Sequence, residues 1–241
     1  MVDHRKIIAR TVAGVLGAIA WAGLAIQFYL TLRAGLSQHQ ITLSILNYFS
    51  YFTILTNLFI ASILTISAWP PAPDRETELV GLRIGASAVV YILVVGVIYV
   101  LALRRLWNPT GLQWAADMIL HYVTPIGYPI FWIAMMQKSF LRWRKIVLWL
   151  AYPLAFALIT EVRGAWSGWY PYPFLDAASL GYARVIASVA MLTAVFMVLA
   201  LVVVCVDRVL ARRSGVTPSV PAEGNSPGTT TVRAAPPSPR S

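Results

Sequence analysis

The sequence is poor in charged residues, and this scarcity excludes a soluble domain. Asp, Glu, Lys and Arg make up 12% of its 241 residues, whereas hydrophobic residues make up 59%. A soluble globular chain carries roughly 25% charged residues. The single cysteine, Cys205, excludes an intrachain disulfide and a multi-cysteine metal site. We therefore expect one membrane domain.

The sequence contains six long apolar runs. Each is near or above the ~17–25 residues that a helix needs to cross the hydrocarbon of a bilayer. The predicted spans are 7–32, 44–69, 84–103, 113–136, 146–162 and 183–206. The predicted fold is all-α, a polytopic bundle of six transmembrane helices within residues 1–213. Residues 214–241 are rich in Pro, Ser, Thr and Gly, which predicts a disordered cytoplasmic tail.

The net charge of +10 does not indicate nucleic-acid binding, because the basic residues lie at the ends of apolar runs. There they contact lipid headgroups and set topology. Most lie at the termini and in the loops on the same side, such as 137–145. The positive-inside rule therefore predicts both termini in the cytoplasm, although Arg104 and Arg105 oppose it. Membrane lipids are the expected partners, and the sequence leaves the oligomeric state open.

Two ionisable residues lie inside the fourth apolar run. Asp117 and His121 are four residues apart, which places them on one face of a helix. The other histidines, His4 and His39, lie outside every predicted span. An ionisable residue within a span is costly and indicates a functional site.

Thr53 is predicted to lie at nearly the same depth as His121. With a rise of ~1.5 Å per residue, Thr53 lies about 14 Å and His121 about 12 Å from the outer ends of their spans. A threonine hydroxyl acts as a nucleophile only with a general base within hydrogen-bonding distance. His121 is the histidine predicted to lie close enough to act as that base. The alternative is that Thr53, like Thr56 and Asn57, only holds helices together by hydrogen bonds.

His121 also has non-catalytic interpretations. It could be a buried neutral imidazole with structural hydrogen bonds. A zinc site needs three or four ligands, which Asp117, His121 and Glu161 could just supply. A bis-histidine haem site would need a second intramembrane histidine. We expect no cofactor and no metal. Pro125 and Pro129 predict a kink, either purely structural or opening space beneath His121.

The loop 161–176 is dense in aromatic residues and prolines. Trp and Tyr favour the membrane interface, so anchoring is one interpretation. The other is a rigid lid over the outer mouth, with Asp176 capping a turn or pairing with an arginine. The residues predicted to line a substrate pocket are Asn57, Glu161, Arg163, Tyr170, Tyr172, Asp176 and Arg184.

Four short segments resemble the hallmark segments of the bacterial Pr-six-Pr membrane proteins, a family predicted to have six helices. They are 49–57 (FSYFTILTN), 121–125 (HYVTP), 163–164 (RG) and 170–176 (YPYPFLD). The resemblance covers about residues 10–210 and implies a bacterial inner-membrane location.

A more distant resemblance is to the androgen-induced multi-pass proteins of animals. Those hydrolyse fatty-acid esters of hydroxy fatty acids with an intramembrane Thr and His. The segment ending in Thr53 matches the sequence around their threonine, which implies that Thr53 is the nucleophile, and His121 matches their histidine. The role of Asp117 rests on its spacing alone.

The leading hypothesis is an intramembrane hydrolase of lipid-like esters, with Thr53 as nucleophile, His121 as base and Asp117 orienting His121. Asn57 or a backbone amide would stabilise the oxyanion. The second hypothesis is a lipid-binding or transport protein without covalent chemistry, in which Asp117, His121 and Glu161 exchange protons. The third is a structural or partner-binding protein whose motifs only join helices.

Overall fold

The computed structural model describes residues 4–69, 75–138, 141 and 143–213. Every regular element in these ranges is helical, so the predicted all-α class is confirmed. The predicted tail, 214–241, lies outside the described residues.

Ten α-helices follow one another along the described chain. They are α1 (His4–Ser37), α2 (Ile41–Tyr48), α3 (Phe52–Ala68), α4 (Arg75–Ile98), α5 (Gly111–Met118), α6 (Thr124–Met135), α7 (Ile146–Trp149), α8 (Ala151–Ser167), α9 (Ala177–Leu180) and α10 (Tyr182–Arg213). Two π-helical segments interrupt this pattern. Tyr99–Leu103 extends α4, and Ile119–Val123 joins α5 to α6.

Several of these helices could span a membrane. Five continuous helical stretches among the described residues are long and apolar enough on their own: α1, Ile84–Leu106 from α4 onward, Gly111–Met135 from α5 through α6, Ile146–Ser167 from α7 through α8, and α10. The pair α2 and α3 passes the same test together but is bent by 67°, so the number of spans rises to six if this pair counts as one.

The second apolar run differs from the prediction of one continuous helix over 44–69. The chain leaves the helix after Tyr48, and Tyr51 adopts an extended conformation with φ −92° and ψ 128° before α3 begins. The Ser50 hydroxyl donates to the carbonyl of Leu46 at 2.6 Å, which satisfies one acceptor at the end of α2. Hydropathy does not reveal this break, because the residues on both sides are equally apolar.

Close packing of α1 against the second π-helical segment depends on Gly23. A Cβ atom there would lie only 2.5 Å from Cγ2 of Ile119, a distance that real side chains do not tolerate. Gly23 therefore lets α1 approach the segment that carries His121, as small residues do between membrane helices. Gly14, on the same helix, has ordinary room, since its Cβ would be 3.8 Å from Cβ of Ala68.

Substitution Gly23→Ala is expected to destabilise the fold by about 1–3 kcal/mol, the usual effect of overpacking. Gly14→Ala is the matched control and is expected to be neutral or stabilising, because alanine favours the helix. Thermal unfolding in detergent measures both variants. Equal melting temperatures for the two would contradict the proposed close contact.

Candidate active site

Thr53 occupies the first turn of α3, immediately after the bend. It is buried, with 8% of its surface exposed. The first N–H groups of any helix lack intrahelical acceptors. Here the N–H of Thr53 donates to the hydroxyl oxygen of Tyr172 at 3.4 Å. The bend therefore presents a hydroxyl side chain and the positive end of a helix at one place.

In the π-helical segment Ile119–Val123 the N–H of Thr124 bonds to the carbonyl of Ile119, five residues before it. Pro125 has no N–H, so the carbonyl of Leu120 lacks the donor five residues on that a π-helix would supply. The side chain of Asn57 fills this role. Its Nδ2 donates to the carbonyl of Leu120 at 3.2 Å and to the carbonyl of Thr53 at 2.9 Å. Asn57 thus joins the start of α3 to the segment that carries His121.

Thr53, His121 and Asp117 form a connected chain of side chains. Oγ1 of Thr53 lies 3.4 Å from Nε2 of His121. Nδ1 of His121 lies 3.1 Å from Oδ1 of Asp117, which is only 4% exposed. The Nδ1–Oδ1 contact is a close approach and not an aligned hydrogen bond, because neither atom has a hydrogen-bond partner among the described residues. A histidine protonated on Nδ1 would leave Nε2 to accept from the threonine hydroxyl. The arrangement matches nucleophile, base and orienting acid in a hydrolase triad.

Tyr99, which sequence reasoning missed, completes this group. Its hydroxyl donates to Oδ2 of Asp117 at 2.5 Å, and its ring stacks on His121 with centroids 4.0 Å apart and planes 16° from parallel. Tyr99 comes from the other π-helical segment. Its depth was a usable signal, since Tyr99 and Asp117 each lie four residues from the outer ends of their predicted spans.

A cavity of about 610 Å³ contains both Thr53 and His121 in its wall. It reaches the surface at Trp107, which is 43% exposed. The loop after α8 covers part of it, since Trp169, Pro171, Tyr172 and Pro173 all line the space. The ring of Tyr51 meets Trp169 and Tyr172 edge-on, with both centroid distances at 5.8 Å. Reacting groups and aromatic loop therefore share one chamber.

Burial raises the pKa of Tyr172 to about 12. Its hydroxyl therefore stays protonated at neutral pH. This hydroxyl lies against Thr53, since its oxygen accepts the N–H of Thr53 and the Thr53 side chain is also within hydrogen-bonding reach of it.

Arg163 lines a neighbouring cavity and makes three defined contacts. Its guanidinium donates to Oγ of Ser50 at 2.6 Å and to Oδ1 of Asn47 at 2.5 Å, and it lies over the ring of Trp169 at 4.7 Å. These bonds join α8 to the end of α2 and to the turn that precedes α3. They also give the bend a tertiary cause that no local pattern reveals.

Of the predicted pocket residues, Tyr172 lines the chamber, whereas Asn57, Glu161, Arg163, Tyr170, Asp176 and Arg184 do not. Tyr170 packs against α8 at Gly164, where a Cβ atom would lie 2.0 Å from its ring. Arg184 is exposed in the first turn of α10. Asp176 caps α9, and the hydrogen bonds from Ser179 hold the pKa of Asp176 below its usual range. The pocket assignment for these residues differs from the observed positions because short-range capping and packing contacts hold them elsewhere.

Glu161 also stands apart from the triad. Both of its carboxylate oxygens are buried and accept no hydrogen bond from the described residues. Within the described ranges no group of three or more His, Cys, Asp and Glu side chains could hold a metal ion. Glu161 therefore does not complete a zinc ligand set with Asp117 and His121. Asn57 cannot be the oxyanion donor considered above, because both hydrogens of its Nδ2 are already engaged.

No protein-family model, curated protein or solved structure matches this chain. The resemblance to the Pr-six-Pr and androgen-induced proteins therefore stays a prediction. The class that the structure itself defines is an all-helical protein with several helices able to span a membrane and a Thr–His–Asp chain beside a cavity.

Substitution Asn57→Ala is expected to lower stability by about 1–3 kcal/mol, because it leaves the buried carbonyl of Leu120 without a donor. Ser62→Ala is the matched control, since its hydroxyl bonds only to Leu58 on the same helix face and is exposed. Thermal unfolding in detergent compares the two. A melting temperature for Asn57→Ala equal to that of Ser62→Ala would argue against the bridging role.

Proposed function

We propose that the protein is an intramembrane ester hydrolase with Thr53 as nucleophile, His121 as general base and Asp117 as the residue that orients His121. One observation carries the proposal. Oγ1 of Thr53 and Oδ1 of Asp117 lie 3.4 Å and 3.1 Å from the two opposite nitrogens of one imidazole ring. Catalytic hydrogen bonds are often this long without substrate and shorten in the reactive complex.

The reaction has two steps, acylation of Thr53 and hydrolysis of the acyl-enzyme. Thr53 Oγ1 attacks the ester carbonyl while its proton moves to Nε2 of His121. The tetrahedral intermediate collapses, the alcohol leaves with the proton from His121, and the acyl group stays on Thr53. Water then gives a proton to His121 and attacks the acyl group. His121 returns that proton to Thr53, and the free carboxylic acid departs.

Two features support stabilisation of the oxyanion. Thr53 lies in the first turn of α3, where the helix dipole favours negative charge. The protonated hydroxyl of Tyr172 lies at the same place and has a hydrogen to donate. Tyr172 is therefore the side-chain donor that we assign to the oxyanion.

The surroundings of Thr53 favour a lipid-like ester as substrate. A second cavity, of about 70 Å³, also includes Thr53 in its wall. Its other walls are almost entirely apolar and include Phe52, Val95, Phe156 and Phe196. Thr53 thus separates a chamber with polar groups from an apolar pocket. An ester carbonyl between a polar head and an acyl chain suits this division.

The proposal includes a membrane topology. The bent pair α2 and α3 would count as one span, which gives six. The distribution of Lys and Arg supports cytoplasmic termini, so the triad would lie in the outer half of the bilayer.

A binding or transport protein without covalent chemistry is the second candidate. The buried, unpartnered carboxylate of Glu161 favours it, because such a group is typical of proton or cation binding in a membrane. This candidate predicts ligand binding that survives loss of the threonine hydroxyl.

The hydrolase proposal is tested with a lipophilic fluorophosphonate probe and a long-chain fluorogenic ester on purified protein. Thr53→Ala and His121→Ala are expected to lose labelling and to lower turnover by about 10³-fold or more, and Asp117→Asn is expected to lower turnover strongly. Thr53→Ser is the conservative control and should keep both. Hydrolysis that persists in folded Thr53→Ala would eliminate the proposed nucleophile.

The oxyanion assignment makes a separate prediction. Tyr172→Phe removes one donor and should lower kcat by about 10²-fold with a small change in KM, because the bond forms only in the transition state. Tyr170→Phe, two residues away and outside the chamber, should leave kcat unchanged. Steady-state kinetics on the same ester checks both. An unchanged kcat in Tyr172→Phe would assign the oxyanion to backbone N–H groups alone.

A further inference from the structure

Arg163 carries a positive charge that no carboxylate neutralises among the residues that the structure describes. Its two hydrogen-bond acceptors, Ser50 and Asn47, are neutral. Glu161 is two residues away on α8, a spacing that points side chains to different faces. A half-buried guanidinium with only neutral partners retains a strong preference for an anion.

The guanidinium is also held in a fixed orientation. Two of its five N–H groups are engaged, by Ser50 and by Asn47, and its face rests on Trp169. These contacts immobilise the planar fork and leave other N–H groups free. Phosphate and carboxylate groups match such a fork, because both present pairs of oxygens with the right spacing.

Arg163 faces space that adjoins the triad. With Ser50, Trp169 and Pro171 it lines a cavity of about 170 Å³. Trp169 and Pro171 also line the chamber that contains Thr53 and His121. Ser50 precedes Thr53 by three residues, a stretch of chain that spans at most about 11 Å. Arg163 and Thr53 therefore lie within the length of one lipid, on two cavities that share Trp169 and Pro171 in their walls.

We propose that Arg163 binds the anionic group, phosphate or carboxylate, of a lipid whose ester or alkyl portion lies beside Thr53. This inference rests on the proposed function for the identity of the ester, and it adds the headgroup class of the substrate. A role in holding the bend before α3 explains the bonds from Arg163 to Ser50 and Asn47. That role does not explain a positive charge without a counterion among the described residues.

Binding of lipids that lack a carboxylic ester tests the proposal independently of catalysis. The probes are a hexadecyl glycerol ether, its phosphate monoester, and palmitate, measured by native mass spectrometry of the full-length protein in detergent. Wild type should bind the two anionic probes about tenfold or more tightly than the neutral ether, as expected for a charged hydrogen bond. Arg163→Gln should bind all three probes alike, with affinity for the neutral ether unchanged.

Arg184→Gln is the matched control, since it removes an exposed arginine of the same end of the bundle and should keep the anionic preference. If Arg163→Gln does not fold, Arg163→Lys takes its place and should reduce the preference for the phosphate, because lysine lacks the fork. A purely structural arginine would lower the melting temperature without changing the ratio of affinities. An anionic preference that persists in folded Arg163 variants, or is absent in wild type, would overturn the proposal.

Inorganic phosphate as a competitor identifies the source of the anion. Displacement of the phosphate ether by inorganic phosphate would support a site for free anions as well as headgroups. Lack of displacement would support a site that requires the lipid chain. Because the probes carry no carboxylic ester, these results stay readable if Thr53→Ala retains hydrolysis and the hydrolase proposal fails.

Discussion

The missing N–H of Pro125 is the constraint from which the rest of the site follows. Within the π-helical segment, the carbonyl of Leu120 lacks a backbone donor because Pro125, five residues on, has no N–H. The side chain of Asn57 donates to this carbonyl instead. In hydrocarbon an unpaired carbonyl is costly, so this bond is strongly favoured. The same amide also bonds to the carbonyl of Thr53. Through Asn57, the unpaired carbonyl of Leu120 is therefore linked to the start of α3, beside the segment that carries His121.

Polar side chains at this place lie in a series of close contacts. Tyr99 donates to Asp117, Asp117 faces His121, and His121 faces Thr53. The ring of Tyr99 covers one face of the imidazole of His121. An isolated carboxylate would not persist in such surroundings, because burial of an unpaired charge is costly. The two π-helical segments contribute Tyr99 and His121, and π-bulges are frequent at functional sites.

Aromatic residues form one wall of the chamber beside Thr53, and one arginine supports that wall. Tyr51 contacts both Trp169 and Tyr172, so the loop after α8 and the bend before α3 form a single wall. Arg163 fixes that wall through Ser50 on the bend. Because these contacts join distant parts of the chain, the shape of this wall depends on tertiary packing and on no single motif.

The sequence by itself determined the helical class, the apolar runs and the candidates Thr53, His121 and Asp117. It did so because hydropathy, helix rise and i, i+4 spacing are local properties. Tertiary structure alone decided the 67° bend before Thr53 and the partnership of Tyr99 with Asp117. It also decided which residues of the loop after α8 face the chamber. Those features depend on hydrogen bonds between residues far apart in the chain, and neither periodicity nor composition records such bonds.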